Sequence, residues 1–202
     1  MKKVFGFSLF VFALSALPLF AQAFALNVVN TSSSTLITNF STTGSVTVTD
    51  MSSPILTTGF LQSRIFQAQP GSPAAGKWVY EYRVALNNVV GVTYVPYVYA
   101  MQWDFGPFIS TLDYNGNGVH ADHLFVITSG AIGSVGVSSA SVSPSGTWVN
   151  FGSGVYGGSY PGGGQSSYFF GMVSQYAPKV GTVTIYKDSG TEVVNAYVPN
   201  HP

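Results

Sequence analysis

The stretch that decides the fold class is WVYEYRVAL, residues 78–86. All of its even positions, from Trp78 to Leu86, are large and apolar, whereas Glu81 and Arg83 stand at odd positions. Side chains alternate between the two faces of a β-strand, so this pattern predicts a strand with one packed face and one face in water. On the wet face, Glu81 and Arg83 are predicted to form an exposed ion pair of little energetic worth.

Further β-prone runs follow throughout the chain, separated by the Gly, Ser, Asn and Pro clusters that are typical of turns. Residues 92–103, which include Pro96, are predicted to pair with residues 78–86 in a hairpin around Asn87 and Asn88. Glycine-rich residues 152–164 are predicted to form a long surface loop. The remaining predicted strands are residues 36–40, 45–49, 123–128, 134–142, 147–151, 167–173, 182–187 and 191–198, with turns at 42–44 and 188–190.

No long apolar stripe with the 3.6-residue period of a helix occurs among these runs. The sequence therefore predicts an all-β protein, an antiparallel β-sandwich of the immunoglobulin-like or jelly-roll-like kind, with about eight to ten strands. We expect one such domain over residues 26–202.

The N-terminal residues have the pattern of a secretory signal peptide, predicted over residues 1–25. Lys2 and Lys3 precede an apolar run, which closes on alanines at positions 21, 23 and 25. Cleavage after Ala23 or after Ala25 gives a mature chain that begins at Phe24 or Leu26. An uncleaved membrane anchor is the alternative, and the two alanine sites favour cleavage. We therefore expect a secreted, extracellular or cell-surface protein, with the periplasm as an alternative, and no membrane insertion after cleavage.

Charge and cysteine content exclude several classes of partner and linkage. The chain has seven Lys and Arg and seven Asp and Glu residues, and the five basic ones outside the predicted signal peptide are scattered singly, at Arg64, Lys77, Arg83, Lys179 and Lys187. Phosphate backbones and anionic lipid surfaces are bound by clustered basic residues, so we expect neither nucleic acid nor an electrostatic membrane contact. The chain has no cysteine, which excludes disulfides and a lipid anchor attached through a cysteine.

Residues 164–178, GQSSYFFGMVSQYAP, form a Gly-Gln-x-Ser turn followed by an aromatic strand that ends in Gly-x-x-Ser. This segment, together with the Tyr and Arg alternation of residues 78–84 before Asn87 and Asn88, resembles exported bacterial proteins of unknown function, many of which carry a C-terminal PEP-CTERM sorting anchor. The resemblance implies an immunoglobulin-like or related β-sandwich at the cell exterior, and it supplies no reaction. Because the sequence ends at Pro202 without that anchor, we expect a released or non-covalently held protein.

One segment has the spacing of a cation site. Asp113, Asn115 and Asn117 alternate before Gly118, and Asp122 stands at the tenth position of the loop. Oxygen ligands in this order match the first half of a calcium loop, so calcium is the one candidate cofactor. An Asn-Gly turn is the competing interpretation, because Leu124 occupies the place of the usual bidentate glutamate.

Other arrangements that carry chemistry are weaker. His120 and Asp122 would face the same way in a strand, but His123 would face the other way, so a solvated loop is favoured over a metal site. No Gly-x-Ser-x-Gly elbow or nucleophile-base arrangement is recognisable. We therefore predict no catalytic residues and no enzyme activity.

Aromatic residues suggest a binding function. Trp78, Trp103 and Trp148 either form a platform on which sugar rings stack or belong to the core, and the core is favoured. Exposed tyrosines are then the better sugar surface, namely Tyr156, Tyr160 and Tyr168. The preferred functional hypothesis is a non-catalytic surface or matrix protein that acts by adhesion or self-association, because its neutral strands carry little protection against edge pairing. The alternative is a carbohydrate-binding module, with a polysaccharide as partner.

Overall fold

A computed structural model describes residues 23–32, 41–48, 59–68, 70–91, 94–129 and 132–202, with only the backbone described for residues 32 and 41–48. The strands in chain order are β1 (Phe24–Ala25), β2 (Val28–Ser32), β3 (Ser41–Val48), β4 (Gly59–Gln67), β5 (Trp78–Ala85), β6 (Tyr97–Trp103), β7 (Leu124–Ser129), β8 (Ser139–Ser143), β9 (Gly146–Tyr156), β10 (Phe169–Ser174), β11 (Pro178–Lys187) and β12 (Gly190–Pro199). The predicted all-β sandwich is confirmed.

The strands form two six-stranded sheets. Sheet A has the order β1-β8-β9-β6-β11-β12, and sheet B has the order β2-β7-β10-β5-β4-β3. The β2–β7 pair is parallel, and the other strand pairs are antiparallel. The described part of the chain contains no helix long and apolar enough to cross a membrane.

The predicted strand at residues 78–86 is confirmed as β5, but its predicted hairpin with residues 92–103 is wrong. β5 lies in sheet B between β4 and β10, whereas β6 lies in sheet A and begins only after Pro96. The buried side chains of Leu86 and Val89 belong to the core between the sheets. The chain therefore crosses the end of the sandwich here, and Asn87 and Asn88 do not close a hairpin.

The predicted first hairpin is also incorrect in the part that the structure describes. Residues 42–44, predicted as its turn, lie inside β3, which pairs with β4. Gly44 is the unpaired residue at the register shift between Thr43 and Ser45, where a bulge accommodates a glycine without steric cost. The predicted strand at residues 36–40 lies outside the described residues.

The predicted loop at residues 152–164 begins later than expected, because β9 continues to Tyr156. Gly152 and Gly154 have φ angles of 59° and 96°. Glycine adopts such angles without a Cβ clash, so the strand continues through a local irregularity.

The main core lies between the two sheets. Tyr80 and Tyr82 of β5 are fully buried there, as the even positions of WVYEYRVAL predict. The Tyr82 ring lies 5.0 Å from that of Trp103, and its hydroxyl donates a hydrogen bond of 2.8 Å to the backbone oxygen of Tyr197 in β12. One side chain thus links the two sheets through packing and through a hydrogen bond.

A second apolar cluster covers the outer face of sheet B, so the prediction of a wet face is wrong. The loops at residues 70–77 and 104–123, together with residue 68, place Ala68, Ala74, Leu112 and Tyr114 against this face. Glu81 has no exposed surface as a result, and Arg83 is buried as well. The prediction missed this cover because side-chain alternation is a local pattern, whereas the covering residues are distant in sequence.

Glu81 pairs with Arg64 and not with Arg83. The register of β4 on β5 sets Arg64 directly opposite Glu81, and a guanidinium nitrogen lies 2.7 Å from a carboxylate oxygen. Burial raises the pKa of Glu81 to about 7, although the charge and hydrogen bond of Arg64 act to lower it. The Arg64 guanidinium also lies 3.3 Å from the centre of the Phe169 ring, which is a cation–π contact.

Candidate functional site

The outer face of sheet A carries a continuous run of five aromatic side chains, which we call the aromatic face. Its members come from the neighbouring strands β9, β6 and β11 and are Tyr156, Tyr97, Tyr99, Tyr186 and Trp148. Successive ring centres in that order are 4.9, 6.4, 6.2 and 4.3 Å apart. Each ring therefore contacts the next, within the range in which aromatic pairs attract.

Strand alternation explains how the rings of β6 and β11 reach this face. Val183 and Ile185 point into the core, so Thr184 and Tyr186 between and beyond them point outward. In β6 the register against β11 shifts by one residue, which leaves Tyr99 unpaired between Val98 and Ala100. This bulge gives the face a third tyrosine without disturbing the buried neighbours Val98 and Met101.

The irregularity of β9 brings in the fifth ring. Asn150 pairs with Ala100 and Val155 pairs with Val98, so residues 151–154 lie opposite the single bulged residue of β6. After Gly152 and Gly154, the strand resumes its pairing and sets Tyr156 opposite Tyr97. These two rings are stacked, with an angle of 26° between their planes.

Hydrogen bonds hold two of the rings in place. The Trp148 indole nitrogen donates to Asn150 Oδ1 at 2.7 Å, and Asn150 Nδ2 donates to the Ser139 hydroxyl at 3.0 Å. The Tyr186 hydroxyl donates to Gln102 Oε1 at 2.6 Å. Gln102 Nε2 donates in turn to the backbone oxygen of Ser145 at 2.8 Å. Side chains fixed in this way lose little conformational freedom when a ligand binds.

The aromatic face combines apolar rings with neighbouring polar groups, and a sugar ring binds to both kinds of group. Tyr99 and Tyr156 are 38% and 36% exposed, and the other three rings are half-buried. Neutral amide and hydroxyl groups border the rings, among them Gln102, Asn150 and Thr184. A pyranose has C–H groups that pack on an aromatic ring and hydroxyl groups that hydrogen-bond around it. The arrangement is therefore suited to binding.

The structure divides the predicted sugar residues. Tyr156 belongs to the aromatic face, whereas Tyr160 lies in the following loop, 65% exposed, and Tyr168 packs against the main core. Trp103 is buried in that core and Trp78 packs against it, as the core interpretation predicted, but Trp148 lies on the aromatic face.

Sequence reasoning did not identify Tyr97, Tyr99 and Tyr186 as binding residues. The alternation of Tyr97, Val98 and Tyr99 is a visible signal of an outward aromatic pair. Tyr186 had no such signal, because its contact with Trp148 depends on the order in which β11, β6 and β9 lie side by side. Strand order is not readable from local sequence.

In the predicted calcium loop, the side-chain oxygens accept hydrogen bonds from the backbone. Asp113 accepts from the N–H groups of Gly116, Asn117 and Gly118 at 2.7, 3.1 and 2.7 Å. Burial acts to raise the pKa of Asp113, and these hydrogen bonds together with the charge of His120 outweigh it, so the pKa is lowered. Asn115 and Asn117 accept from N–H groups two residues further on, which is an Asx-turn pattern. These hydrogen bonds are the ones that the competing turn interpretation requires, and calcium binding by the loop is untested.

Asp122 is buried and belongs to a different hydrogen-bond network. It accepts from the backbone N–H of Tyr114 at 2.8 Å and from Asn27 Nδ2 at 3.2 Å. His123 accepts the backbone N–H of Asn27 through Nδ1 at 2.9 Å and contacts the rings of Phe24 and Phe108. Burial lowers the pKa of His123, although Asp122 acts to raise it. Within the described ranges, no three His, Cys, Asp or Glu side chains are grouped as metal ligands.

None of the family models, curated proteins or solved structures compared with this chain matches it. The resemblance to exported proteins of the PEP-CTERM kind stays a prediction. Function is therefore inferred from the geometry of the aromatic face.

Proposed function

We propose that this protein is a non-catalytic carbohydrate-binding protein that holds a polysaccharide chain on the aromatic face of sheet A. The observation that carries the proposal is the unbroken contact of five exposed or half-buried rings, from Tyr156 to Trp148. A row of rings offers successive stacking positions to successive sugar residues. Soluble proteins rarely carry so many large aromatic side chains together on an outer surface.

Two further features support a sugar over a protein partner as the occupant. The side-chain amides of Asn150 and Gln102 hydrogen-bond to Trp148 and Tyr186, and each amide has further donor and acceptor capacity for the hydroxyl groups of a sugar. The rings stand on strands and two of them are held by hydrogen bonds, so the surface is pre-organised for a flexible chain. We propose that the protein performs this function outside the cytoplasm, as the signal pattern of residues 1–25 predicts.

The test is the retention of the purified protein on insoluble polysaccharides and on a glycan array. Trp148→Ala and Tyr99→Ala each remove one ring from the aromatic face, and we expect each to weaken binding by about tenfold, equivalent to about 1.4 kcal/mol. Tyr160→Ala is the matched control, because Tyr160 is an exposed tyrosine outside the aromatic face. Retention that is equal for all three variants, or absent for the wild type across a broad panel, contradicts the proposal.

Adhesion through self-association is a second candidate, favoured by two exposed valines. Val180 and Val193 are 62% and 65% exposed, and both lie on the ribbon of β11 and β12 at the edge of sheet A. Exposed apolar side chains on an edge ribbon favour pairing between copies of a chain. Size-exclusion chromatography with light scattering tests this candidate. A wild type that associates at high concentration and a Val193→Lys variant that stays monomeric support it, whereas a strictly monomeric wild type opposes it.

A further inference from the structure

A pocket lies beyond one end of the aromatic face. Its volume is about 340 Å³, at the lower end of the roughly 300 to 1,000 Å³ that is typical of small-molecule sites. It is lined by Gln102, Trp103, Asp104, Ser145, Lys179, Gly181, Thr182, Thr184, Val198 and His201. We call it the end pocket.

The end pocket continues the line of the aromatic face along β6. Tyr97 stands at the first residue of β6, and Trp103 stands at the last, next to Asp104 of the pocket. Gln102 belongs to both sites, because it accepts a hydrogen bond from the hydroxyl of Tyr186 and also lines the pocket. A chain that lies on the rings along β6 thus arrives at the pocket.

At its far end the pocket is bordered by the chain that leaves β6 and by the C-terminal residues. His201 Nε2 lies 3.2 Å from Asp104 Oδ1. The His201 ring packs directly over Gly106, where a Cβ would overlap with it. Gly106 also donates its backbone N–H to Asp104 at 3.2 Å. A chain that continued beyond the pocket in this direction would meet the contact between His201 and Asp104.

The lining of the pocket suits a neutral sugar residue. Gly181 and the small exposed parts of Trp103 and Val198 supply an apolar part, and Ser145, Thr182 and Thr184 supply hydroxyl groups. Asp104 and Lys179 have opposite charges. The Asp104 carboxylate would repel an anionic ligand, and the Lys179 ammonium group would repel a cationic one. A sugar hydroxyl can donate a hydrogen bond to the Asp104 carboxylate or accept one from the Lys179 ammonium group, and both hydrogen bonds are charge-assisted.

We infer that the end pocket binds the terminal residue of a neutral polysaccharide whose chain lies on the aromatic face, and that Asp104, Lys179 and Thr182 hydrogen-bond to its hydroxyl groups. This inference depends on the proposed carbohydrate binding and adds to it a preference for chain ends. The rings supply stacking that tolerates many sugars, and the pocket supplies the selection among them.

The first experiment compares variants on a series of soluble cello-, xylo-, chito- and laminari-oligosaccharides of one to six residues. The double variant Lys179→Ala with Thr182→Val alters two exposed pocket side chains, and Lys77→Ala is the control at an exposed lysine outside the pocket. For the series that the wild type binds, we expect the double variant to lose about tenfold or more in affinity and the control to lose none. Affinities within about twofold of the wild type overturn the inference.

The second experiment counts chain ends. The polysaccharide that retains the protein is partly hydrolysed to several mean lengths, and equal masses of each fraction compete for binding. Competition that rises with the number of ends supports a terminal subsite, and competition that depends on mass alone overturns it. A wild type that binds no glycan removes the proposed function as well, whereas binding that is sensitive to Trp148→Ala and insensitive to the pocket variant removes only this inference.

Discussion

The carboxylate of Glu81 lies 2.7 Å from the guanidinium of Arg64 on a face of sheet B that loops have covered, and the Glu81 side chain has no exposed surface. The pKa of Glu81 is about 7, which is above the ordinary value of 4.5, because burial disfavours the charged form. Between these two values the unfolded chain releases the proton and the folded protein keeps it. The contribution to stability is therefore complete below about pH 4.5 and is lost as the pH rises through about 7.

We expect the free energy of unfolding of the wild type to fall between about pH 5 and pH 8, by about 1 to 3 kcal/mol for this one group. Glu81→Gln removes the titration, so the variant should lose this part of the pH dependence. Urea unfolding of both proteins at the two pH values measures the difference. Equal pH dependence in wild type and variant contradicts the shifted pKa.

The hydrogen bond from Tyr82 to the backbone oxygen of Tyr197 joins the two sheets inside the core. Tyr82→Phe keeps the ring contact with Trp103 and leaves the half-buried backbone oxygen of Tyr197 without this donor. We expect a loss of about 1 kcal/mol in the free energy of unfolding. Tyr160→Phe is the control, since the Tyr160 side chain is largely exposed. Chemical denaturation that gives the two variants the same stability argues against the link between sheets.

Gly106 and Gly116 form a matched pair that tests the contact of His201 with Gly106 at the border of the end pocket. Both have positive φ angles, 66° and 74°, but a Cβ at Gly106 meets the His201 ring, whereas a Cβ at Gly116 meets nothing within 4 Å. Each substitution to alanine costs about 1 kcal/mol for the backbone conformation. We expect Gly106→Ala to destabilise further and to displace His201, with a shift of the His201 imidazole signals in NMR spectra. Unchanged imidazole signals would show that the ring does not depend on this glycine.

Calcium binding is tested by thermal melts in calcium and in a chelator. Asp113 and Asp122 accept hydrogen bonds from separate sets of donors, so we expect the melting temperature to be the same in both solutions. Asp113→Ala should lower it equally in both, because the turn loses three hydrogen bonds. A higher melting temperature in calcium, lost in Asp113→Ala, would instead establish the loop as a calcium site.

The strand β1 distinguishes the two predicted cleavage sites. Phe24 and Ala25 pair with Val142 and Ser141 of β8, and the Phe24 ring lies 5.6 Å from that of His123. Cleavage after Ala23 keeps these contacts and cleavage after Ala25 removes them. We therefore predict that a chain beginning at Phe24 is more stable than one beginning at Leu26, and thermal melts of the two proteins measure the difference. A protein that begins at Leu26 and melts at the same temperature as one beginning at Phe24 would show that β1 is dispensable.

Local alternation predicted the all-β fold and the buried face of β5, since Tyr80 and Tyr82 follow a period that depends only on the pleat of the strand. It failed for Glu81, whose cover comes from loops distant in sequence. The hairpin at Asn87 failed for a similar reason, because the two adjacent strands entered different sheets.

The candidate site was only partly predictable. Tyr156 was predicted as an exposed sugar-binding residue, and Trp148 was predicted with a choice between core and surface; β9 places both outside. Tyr186 joins them only because β11 lies beside β6, which is a consequence of long-range pairing. The end pocket depends on the contact of His201 with Gly106, two residues that no short-range pattern connects.

The bulge at Tyr99 shifts the alternation of inward and outward side chains in β6 by one residue. Tyr97 and the bulged Tyr99 point outward. Beyond the bulge, Gln102 points outward, whereas Met101 and Trp103 enter the core. Removing Tyr99 would therefore join two regular halves without moving any core side chain to the other face. One inserted residue at this point therefore adds a ring to the surface while the interior keeps the same side chains.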